Sequence, residues 1–392
     1  MDVRAVRSRY TALGGDFVFL DAPGGSQVPD EVGRAVARTY LEASGNAGFP
    51  YATSRRIEQI VEEARAATAR FFGCEDDEVV FGANMTSLSF TLSRTLARDF
   101  APGDEVVVTR LDHDGNVAPW LELAEDRGLV VRLADVHDDT TLDLDDLARL
   151  LSERTRVVAF PWAANSTGTT TDAAAVCALA HQAGAVAWVD AVQYAPHLPM
   201  DVRRAGADVL LCSSYKFFGP HLGMAAVRRE LAERWRPYKA RPAPSTPLGH
   251  RFETGTLPYE LLAGLAAAFS YIDSVGGMAA IADWERQLGE RFLAGLPNGA
   301  RLYGLPSMQG RVPTFLFNFP GVDSAELSAE LASRGFGVWS GDNYYALGLH
   351  ERIGWGEALR VGLCHYNTLE EVDELHAALS ELVRSRRPAV RR

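Results

Sequence analysis

The stretch from Ala185 to Met224 constrains the fold of this chain more than any other segment. It reads AVAWVDAVQYAPHLPMDVRRAGADVLLCSSYKFFGPHLGM. Its two short apolar runs, 185–189 and 209–212, predict buried parallel strands. Asp190 follows the first run, and a polar segment ending in Lys216 follows the second. These two residues are 26 positions apart, about one strand–crossover–strand unit, so we expect both at the edge where open α/β sheets bind ligands.

An acidic residue and a lysine at such an edge suit pyridoxal phosphate (PLP). A lysine amine forms a Schiff base with the aldehyde of this cofactor, and a carboxylate keeps the pyridine nitrogen protonated so that the ring can accept electrons. A structural ion pair explains Asp190 and Lys216 equally well when they are taken alone. The surrounding motifs decide between the two interpretations.

Motifs of one enzyme family stand in order along nearly the whole chain. After FLDAPGGSQVP near the start come TRLDHDGNVAPW, AANSTGT, VDAVQYAPH, SSYKFFGP, RFETGT and LRVGLCHYNT. With these motifs the chain resembles the class V (fold type I) PLP-dependent enzymes, and most closely the cysteine desulfurase and selenocysteine lyase group. The resemblance implies an α/β fold with a large domain built on a mostly parallel sheet and a smaller α+β domain.

The length of 392 residues exceeds what one compact core usually holds, which predicts two domains. We expect a large PLP-binding domain at 16–258. The small domain is expected at 259–392 together with 1–15, which form a helical arm.

Charge and composition exclude several classes of partner. The net charge of −12 argues against nucleic acid and anionic membranes. No run approaches the ~20 apolar residues of a membrane span, and the first residues lack the apolar segment of a signal peptide. We therefore expect a cytoplasmic protein. Its four cysteines show no CxxC spacing, which predicts free thiols rather than disulfides or a metal cluster.

The predicted phosphate site begins where a strand turns into a helix near residue 85. A helix that starts there presents N–H groups and a positive dipole end to an anion. By the resemblance, Met85 and Thr86 meet the cofactor phosphate, and Ser213 and Tyr215 flank it. The alternative is that Thr86 or Asn84 only caps the helix.

The resemblance assigns further roles around the cofactor ring. His113 is expected to stack on the pyridine ring, and Asn165 and Gln193 are expected near its phenolic oxygen. With Lys216 and Asp190, His113 completes the predicted catalytic set. Without the resemblance, Asn165 is equally well explained as a polar loop residue.

The predicted substrate site draws on both ends of the chain. Arg360 matches the family arginine that pairs with the α-carboxylate, which a guanidinium binds bidentately. Gly25 belongs to a loop near the substrate, and Tyr344 to a small-domain loop. Family members are dimers, and Thr256 is the candidate that reaches the partner's phosphate.

One part of the family pattern is missing. Desulfurases carry a nucleophilic cysteine on a small-domain loop, and the corresponding segment here, 337–346, has none. Cys364 is close in sequence but lies in a strand-like run, where a packed side chain is expected. Trp339, Tyr344 and Tyr345 suggest a bulky or aromatic-contacting substrate, and core packing explains them equally well.

These observations predict a PLP-dependent enzyme that acts on a small α-amino acid. Lys216 is expected to pass the cofactor to the substrate amine and then to remove the Cα proton. Because β-elimination needs no further residue, a C–S lyase without a persulfide-forming cysteine is the first hypothesis. An aminotransferase or an epimerase needs the same residues. A non-catalytic PLP-binding partner protein is the alternative of another class.

Overall fold

A computed structural model of the chain describes residues 1–241, 243 and 245–386. Its strands, numbered β1 to β13 in chain order, are Val18–Phe19, Val79–Gly82, Glu105–Thr109, Val130–Ala134, Thr155–Pro161, Val186–Asp190, Val209–Ser213, Gly223–Val227, Arg301–Tyr303, Thr314–Asn318, Phe336–Gly337, Trp339–Gly341 and Ala358–Gly362. Its α-helices, numbered α1 to α14, are Val3–Arg7, Asp30–Glu42, Ala52–Phe72, Met85–Leu96, Ala118–Arg127, Leu144–Leu150, Ala173–Gln182, Val202–Ala205, Arg229–Arg234, Tyr259–Ser274, Gly277–Gly295, Ser324–Ser333, Leu347–Ile353 and Leu369–Arg386.

The largest sheet has seven strands in the order β2-β8-β7-β6-β5-β3-β4. The strands are mutually parallel except β8, which runs antiparallel to its neighbours β2 and β7. Strands β3, β5, β6 and β7 are almost entirely buried because helices cover both faces of the sheet. The predicted α/β fold with a mostly parallel sheet is confirmed.

Successive side chains of a central strand alternate between two cores. On β7, Leu210 belongs to the core that includes α3 and α10, whereas Val209 and Leu211 belong to the core that includes α4 and α5. This double burial accounts for the continuous apolar runs of the sequence. The predicted strands 185–189 and 209–212 correspond to β6 and β7, and these two strands are neighbours, as predicted.

The C-terminal part contains a four-stranded antiparallel sheet, ordered β12-β13-β10-β9, with a third core formed with α11, α12 and α14. Strand β1 pairs with β11, so the N-terminal segment joins this part of the chain. That pairing favours moving the start of the large domain beyond β1. The division into 16–258 and 1–15 with 259–392 remains a proposal, and its last six residues, 387–392, lie outside the described residues.

No single helix of the described chain is both long and apolar enough to cross a membrane. Helices α10 and α11 meet the length and composition criteria only as a pair, and that pair is bent by 68°.

Strand β8 was not predicted, and it determines where α4 begins. Its first residue, Gly223, packs against the backbone of Asn84 just before α4. A Cβ at position 223 would lie 2.4 Å from the carbonyl carbon of Asn84, so only glycine allows this approach. The close packing of β8 against this turn fixes the N-terminus of α4 at the carboxyl edge of the sheet.

The substitution Gly223→Ala should therefore lower the free energy of unfolding by about 1–3 kcal/mol, because the new methyl group forces a rigid backbone apart. The measurement is urea denaturation of both proteins. Gly33→Ala is the matched control, since Gly33 lies exposed in α2 and a Cβ there meets nothing within 4 Å. Equal stability of the two variants would contradict the packing described for β8.

Candidate active site

Polar residues that follow the parallel strands meet in one cavity at the carboxyl edge of the sheet. The cavity has a volume of about 640 Å³. Asp190 ends β6, and Lys216 follows β7, the strand hydrogen-bonded to β6. All the predicted site residues except Gly25 and Thr256 line it. They are Met85, Thr86, His113, Asn165, Asp190, Gln193, Ser213, Tyr215, Lys216, Tyr344 and Arg360.

The buried side chain of Lys216 ends against a turn of the N-terminal loop. Its Nζ donates hydrogen bonds to the backbone carbonyl oxygens of Pro23 and Gly24, the second at 3.0 Å. Burial, reinforced by the positive charge of Arg360, lowers the pKa of Lys216 to about 7, although two nearby carboxylates oppose the shift. An amine with this pKa is half neutral at pH 7, so it can act as a nucleophile or as a base.

Asp190 and His113 have altered proton affinities. Burial raises the pKa of Asp190 to about 7, although the Val192 N–H donates to its Oδ1 at 2.8 Å and opposes the shift. A cation bound against Asp190 would favour its ionised form. Burial lowers the pKa of His113 to about 4, and the nearby cations add to this effect. Because His113 Nδ1 accepts from the Gly115 N–H at 2.9 Å, the neutral ring carries its proton on Nε2.

Two buried amides on the cavity wall each have one end without a partner. Asn165 Nδ2 donates to the Tyr344 carbonyl at 2.7 Å, and Gln193 Nε2 donates to the Pro23 carbonyl at 3.1 Å. Their side-chain oxygens, Oδ1 and Oε1, are buried without a hydrogen bond. Buried polar atoms are costly when they are unpaired, so these two acceptors indicate that the cavity binds a polar ligand.

The N-terminus of α4 forms another part of the wall. Asn84 caps this helix, because its Oδ1 accepts from the Ser87 N–H at 2.8 Å. The Met85 N–H donates to Ser213 Oγ at 2.9 Å, so it is engaged within the protein rather than free for a phosphate. Of the first three N–H groups of α4, that of Thr86 is left for an anion in front of the helix.

Arg360 is buried and fixed by several contacts. Its Nη2 and Nε donate to Asp21 Oδ1 at 2.8 and 3.3 Å, and its Nη1 donates to the Asn165 carbonyl at 3.1 Å. The ring centroids of Trp339 and Tyr344 lie 5.0 and 4.5 Å from its Cζ. Three of the five guanidinium N–H groups are thus used. One remains on each terminal nitrogen, and this pair can bind a carboxylate bidentately.

The glycine that lines the cavity is Gly24 rather than the predicted Gly25. A Cβ at position 24 would lie 2.1 Å from Oδ2 of Asp21, so a side chain there would displace the carboxylate that holds Arg360. Gly25 borders a neighbouring groove, and a Cβ there would lie 3.6 Å from the ring of Tyr215. The sequence does not show which of two adjacent glycines faces a cavity, because this depends on the local path of the backbone.

Thr256 also lies apart from the residues around Lys216. It lines a second cavity of about 800 Å³, which contains the buried ion pair between Arg65 and Glu253 at 2.9 Å. Within one chain Thr256 therefore does not join the candidate site. Its predicted contact is with the site of a partner subunit, and that contact stays a prediction.

Some residues that line or support the cavity are not among the predicted site residues. Asp21 holds Arg360, and its position at the end of the FLD motif was an available signal. His221 stacks on Tyr215 with ring centroids 4.8 Å apart, and no sequence signal marks it. Trp339 and Tyr345 line the cavity, whereas the sequence left the aromatic residues of this loop between a substrate role and core packing.

Comparison with known proteins identifies the family. Residues 18–375 match the family described as aminotransferase class V. The chain belongs to the class V aminotransferase family. It is 33% identical to probable cysteine desulfurase 2 of Mycobacterium leprae, over 97% of this chain and 96% of that protein. It is 31% identical to the aminotransferase-like protein FGM3 of Gibberella zeae, over 96% and 97% of the two chains.

The solved structures include a close match to the fold. The apo structure of cysteine desulfurase from Thermococcus onnurineus NA1 superposes with a TM-score of 0.93 at 27% identity, over 97% of this chain and 98% of that chain. The predicted membership of the cysteine desulfurase-like group of class V enzymes is confirmed.

The family is PLP-dependent, and the chain is a PLP-dependent enzyme. The residues of the cavity fit this cofactor. They provide a lysine amine of lowered pKa, a buried carboxylate of raised pKa, two unpaired amide oxygens and a helix N-terminus. The alternative of a non-catalytic PLP-binding protein is set aside.

The lowered pKa of Lys216 predicts unusual reactivity in the cofactor-free protein. Its amine is neutral above its pKa, so acylation of Lys216 should rise with pH around a midpoint near 7, well below the ordinary value of about 10.4. The chain has only two lysines, Lys216 and Lys239, so peptide mass spectrometry assigns each label directly. A Lys216→Arg variant, which should lack the low-pH signal, is the control. A midpoint near 10 at Lys216 would contradict the described burial.

If Arg360 binds the substrate α-carboxylate, as the sequence predicts, its contact with Asp21 predicts that a change at Asp21 weakens substrate binding. Asp21→Asn should raise the KM for α-amino acid substrates by about 10- to 100-fold, with a smaller effect on kcat, because the guanidinium loses its ionic partner and its fixed orientation. Steady-state kinetics with the substrate turned over fastest provides the measurement. Asp126→Asn, an exposed position on α5, is the matched control. An unchanged KM in Asp21→Asn would remove Asp21 from the site.

Proposed function

We propose that the chain is a homodimeric PLP-dependent C–S lyase, which removes a sulfur or selenium group from the β-carbon of a small α-amino acid. The observation that carries this proposal is the composition of the cavity. It combines an acid–base lysine, Lys216, with a carboxylate-binding guanidinium, Arg360, and none of the described residues that line it is a cysteine.

The positions of the four cysteines argue against persulfide chemistry. Cys177, Cys212 and Cys364 are buried, and burial raises the pKa of the Cys212 and Cys364 thiols well above the usual range. The half-buried Cys74 borders a different cavity, and burial raises the pKa of its thiol to about 12. A thiol in these states is a poor nucleophile. The small-domain loop that carries cysteine in desulfurases contributes Tyr344 to the wall here.

When bound, PLP supplies an aldehyde that captures amines and a ring that accepts the electron pair of a broken Cα bond. We assign Asp190 to the pyridine nitrogen and His113 to stacking on the ring. An imidazole has two faces, and Tyr345 covers one of them, with ring centroids 5.4 Å apart. Stacking on the cofactor requires the other face. Asn165 and Gln193, with their unpaired oxygens, are assigned to the phenolic side.

The phosphate is assigned to the N-terminus of α4. Thr86 supplies a free N–H there, whereas the engaged N–H of Met85 positions the hydroxyl of Ser213. Tyr215 completes this part of the wall. We further propose that Thr256 of one subunit reaches the phosphate of the other, which makes dimerisation part of the site.

Arg360 would bind the substrate, and Lys216 would transfer its protons. Arg360 binds the α-carboxylate through its two remaining N–H groups and so fixes the orientation of the bonds at Cα. Lys216, with a pKa of about 7, takes the Cα proton as a neutral amine and can then protonate the departing sulfur. The net reaction consumes one water and yields a thiol, pyruvate and ammonia.

Transamination is the second candidate. The relative from Gibberella zeae is named an aminotransferase-like protein, and transamination uses the same lysine, carboxylate and arginine.

We also propose a cytoplasmic location, because all four cysteines are unpaired, as is usual in a reducing compartment.

A panel of amino acids tests the proposed reaction. The holoenzyme should release pyruvate, together with a sulfur species, from cysteine, cystine or an S-substituted cysteine. Turnover that requires a keto acid would indicate transamination, and deuterium entering Cα without net turnover would indicate epimerisation.

The variant Lys216→Ala should fold and lose turnover, and sustained turnover in that variant would contradict the whole assignment.

A further inference from the structure

Two aromatic side chains on the cavity wall are exposed to solvent. Trp339 is 44% exposed and Tyr345 is 63% exposed, and both line the cavity that contains Lys216. Tyr344, between them in sequence, differs: it is 4% exposed, and its hydroxyl donates to the carbonyls of Trp339 and Ala358. Core packing therefore explains Tyr344 but neither of the other two rings. Exposed apolar surface inside a concave site is typical of a ligand-binding surface.

The position of Trp339 follows from strand pairing. Trp339 on β12 is directly opposite Arg360 on β13, and cross-strand partners project to the same face of a sheet. The indole ring consequently lies over the guanidinium, 5.0 Å from its Cζ. A carboxylate bound to the two free N–H groups of Arg360 would bring the rest of an amino acid close to this indole.

The loop that places Tyr345 at the cavity has an unfavourable backbone conformation. Tyr344 and Tyr345 both adopt left-handed conformations, with φ of 52° and 59°, which non-glycine residues seldom adopt. The loop is tied to the large sheet by the Asp114 N–H, which donates to the Tyr345 carbonyl at 2.7 Å. It is also tied by Asn165 Nδ2, which donates to the Tyr344 carbonyl. Such conformations persist where surrounding contacts enforce them, and they concentrate at functional sites.

The charges on the wall restrict the substrate further. Lys216 and Asp190 serve the cofactor in the proposed function, and Arg360 serves the α-carboxylate. The carboxylate of Asp21 is already paired with Arg360. His221 stacks on Tyr215, in the part of the wall assigned to the phosphate. Among the described lining residues, no lysine, arginine, aspartate or glutamate remains to pair with a charged substrate side chain, and burying such a group unpaired is costly.

We propose that this cavity selects α-amino acids with an uncharged aromatic or large apolar side chain, which packs against Trp339 and Tyr345. The inference rests on the proposed function for the amino-acid substrate. For elimination it identifies S-aryl and bulky S-alkyl cysteine conjugates as the substrate class. The C–S bond breaks with its electron pair going to sulfur, which takes a proton and leaves as the free thiol, and one water completes the release of pyruvate and ammonia.

A matched series of S-substituted cysteines tests the proposal with the holoenzyme. The series comprises S-phenyl-, S-methyl-, S-carboxymethyl- and S-(2-aminoethyl)-L-cysteine, which differ only in the group on sulfur. We expect kcat/KM for pyruvate release to be roughly 10- to 100-fold higher for the S-phenyl than for the S-methyl compound, since a phenyl ring buries far more apolar area. The acidic and basic members should be the poorest substrates.

Variants assign this preference to the two rings. Trp339→Ala and Tyr345→Ala should each remove most of the preference for S-phenyl over S-methyl, whereas Trp339→Phe should retain it. Because Trp339 also contacts Arg360, the S-methyl compound measured in the same variant corrects for any loss of carboxylate binding. Tyr40→Ala, an exposed tyrosine on α2, is the matched control and should keep the wild-type preference.

A binding measurement separates this proposal from the proposed reaction. L-phenylalanine and L-alanine carry no sulfur leaving group, and their equilibrium binding is followed by the change in cofactor absorbance. Tighter binding of phenylalanine without pyruvate from any conjugate would support the aromatic site and reject elimination. Equal pyruvate release from S-methyl and S-phenyl compounds would support elimination and overturn the aromatic site. A preference that survives in Trp339→Ala and Tyr345→Ala, or no binding of phenylalanine, would also overturn it.

Discussion

Burial of the parallel sheet on both faces is the constraint on which the active site depends. Strands β3, β5, β6 and β7 lie between two apolar cores, so few polar side chains are tolerated along their length. Polar residues can follow only where the strands end, and parallel strands end at one edge. Asp190, Lys216, His113 and Asn165 therefore converge, although each of them ends or follows a different strand. The single antiparallel strand β8 brings the N-terminus of α4 to the same edge.

Two buried cations in one cavity govern its chemistry. Burial lowers the pKa of the Lys216 amine, and the positive charge of Arg360 adds to this shift. Asp21 compensates the charge of Arg360 and also fixes its orientation, and one N–H group remains on each terminal nitrogen. The same positive field, added to burial, keeps His113 neutral. The lowered pKa values of Lys216 and His113 thus have the same two causes, burial and nearby positive charge.

The fold is shared with a cysteine desulfurase of known structure, and the loop 337–346 of this chain contains no cysteine. In this chain the loop presents Trp339 and Tyr345 to the cavity, and Tyr344 anchors it from within. One fold supports several reactions when the groups around a common cofactor change. In the proposed function, the residues assigned to the cofactor are combined with a loop that offers aromatic surface in place of a thiol.

Local pattern determined much of this protein. The apolar runs before Asp190 and Lys216 were sufficient to predict two neighbouring buried strands, and the order of motifs along the chain was sufficient to predict the family and the cofactor. Tertiary structure alone decided the rest. Asp21 and Arg360 are separated by 339 positions, and their pairing depends on how β1 and β13 come together. Whether Gly24 or Gly25 lines the cavity depends on which way each residue faces. The same holds for Trp339 and Tyr345, whose rings are exposed, and for Tyr344, whose ring is buried. Periodicity along a strand or helix encodes that direction, whereas irregular loops have no period, so only packing reveals it.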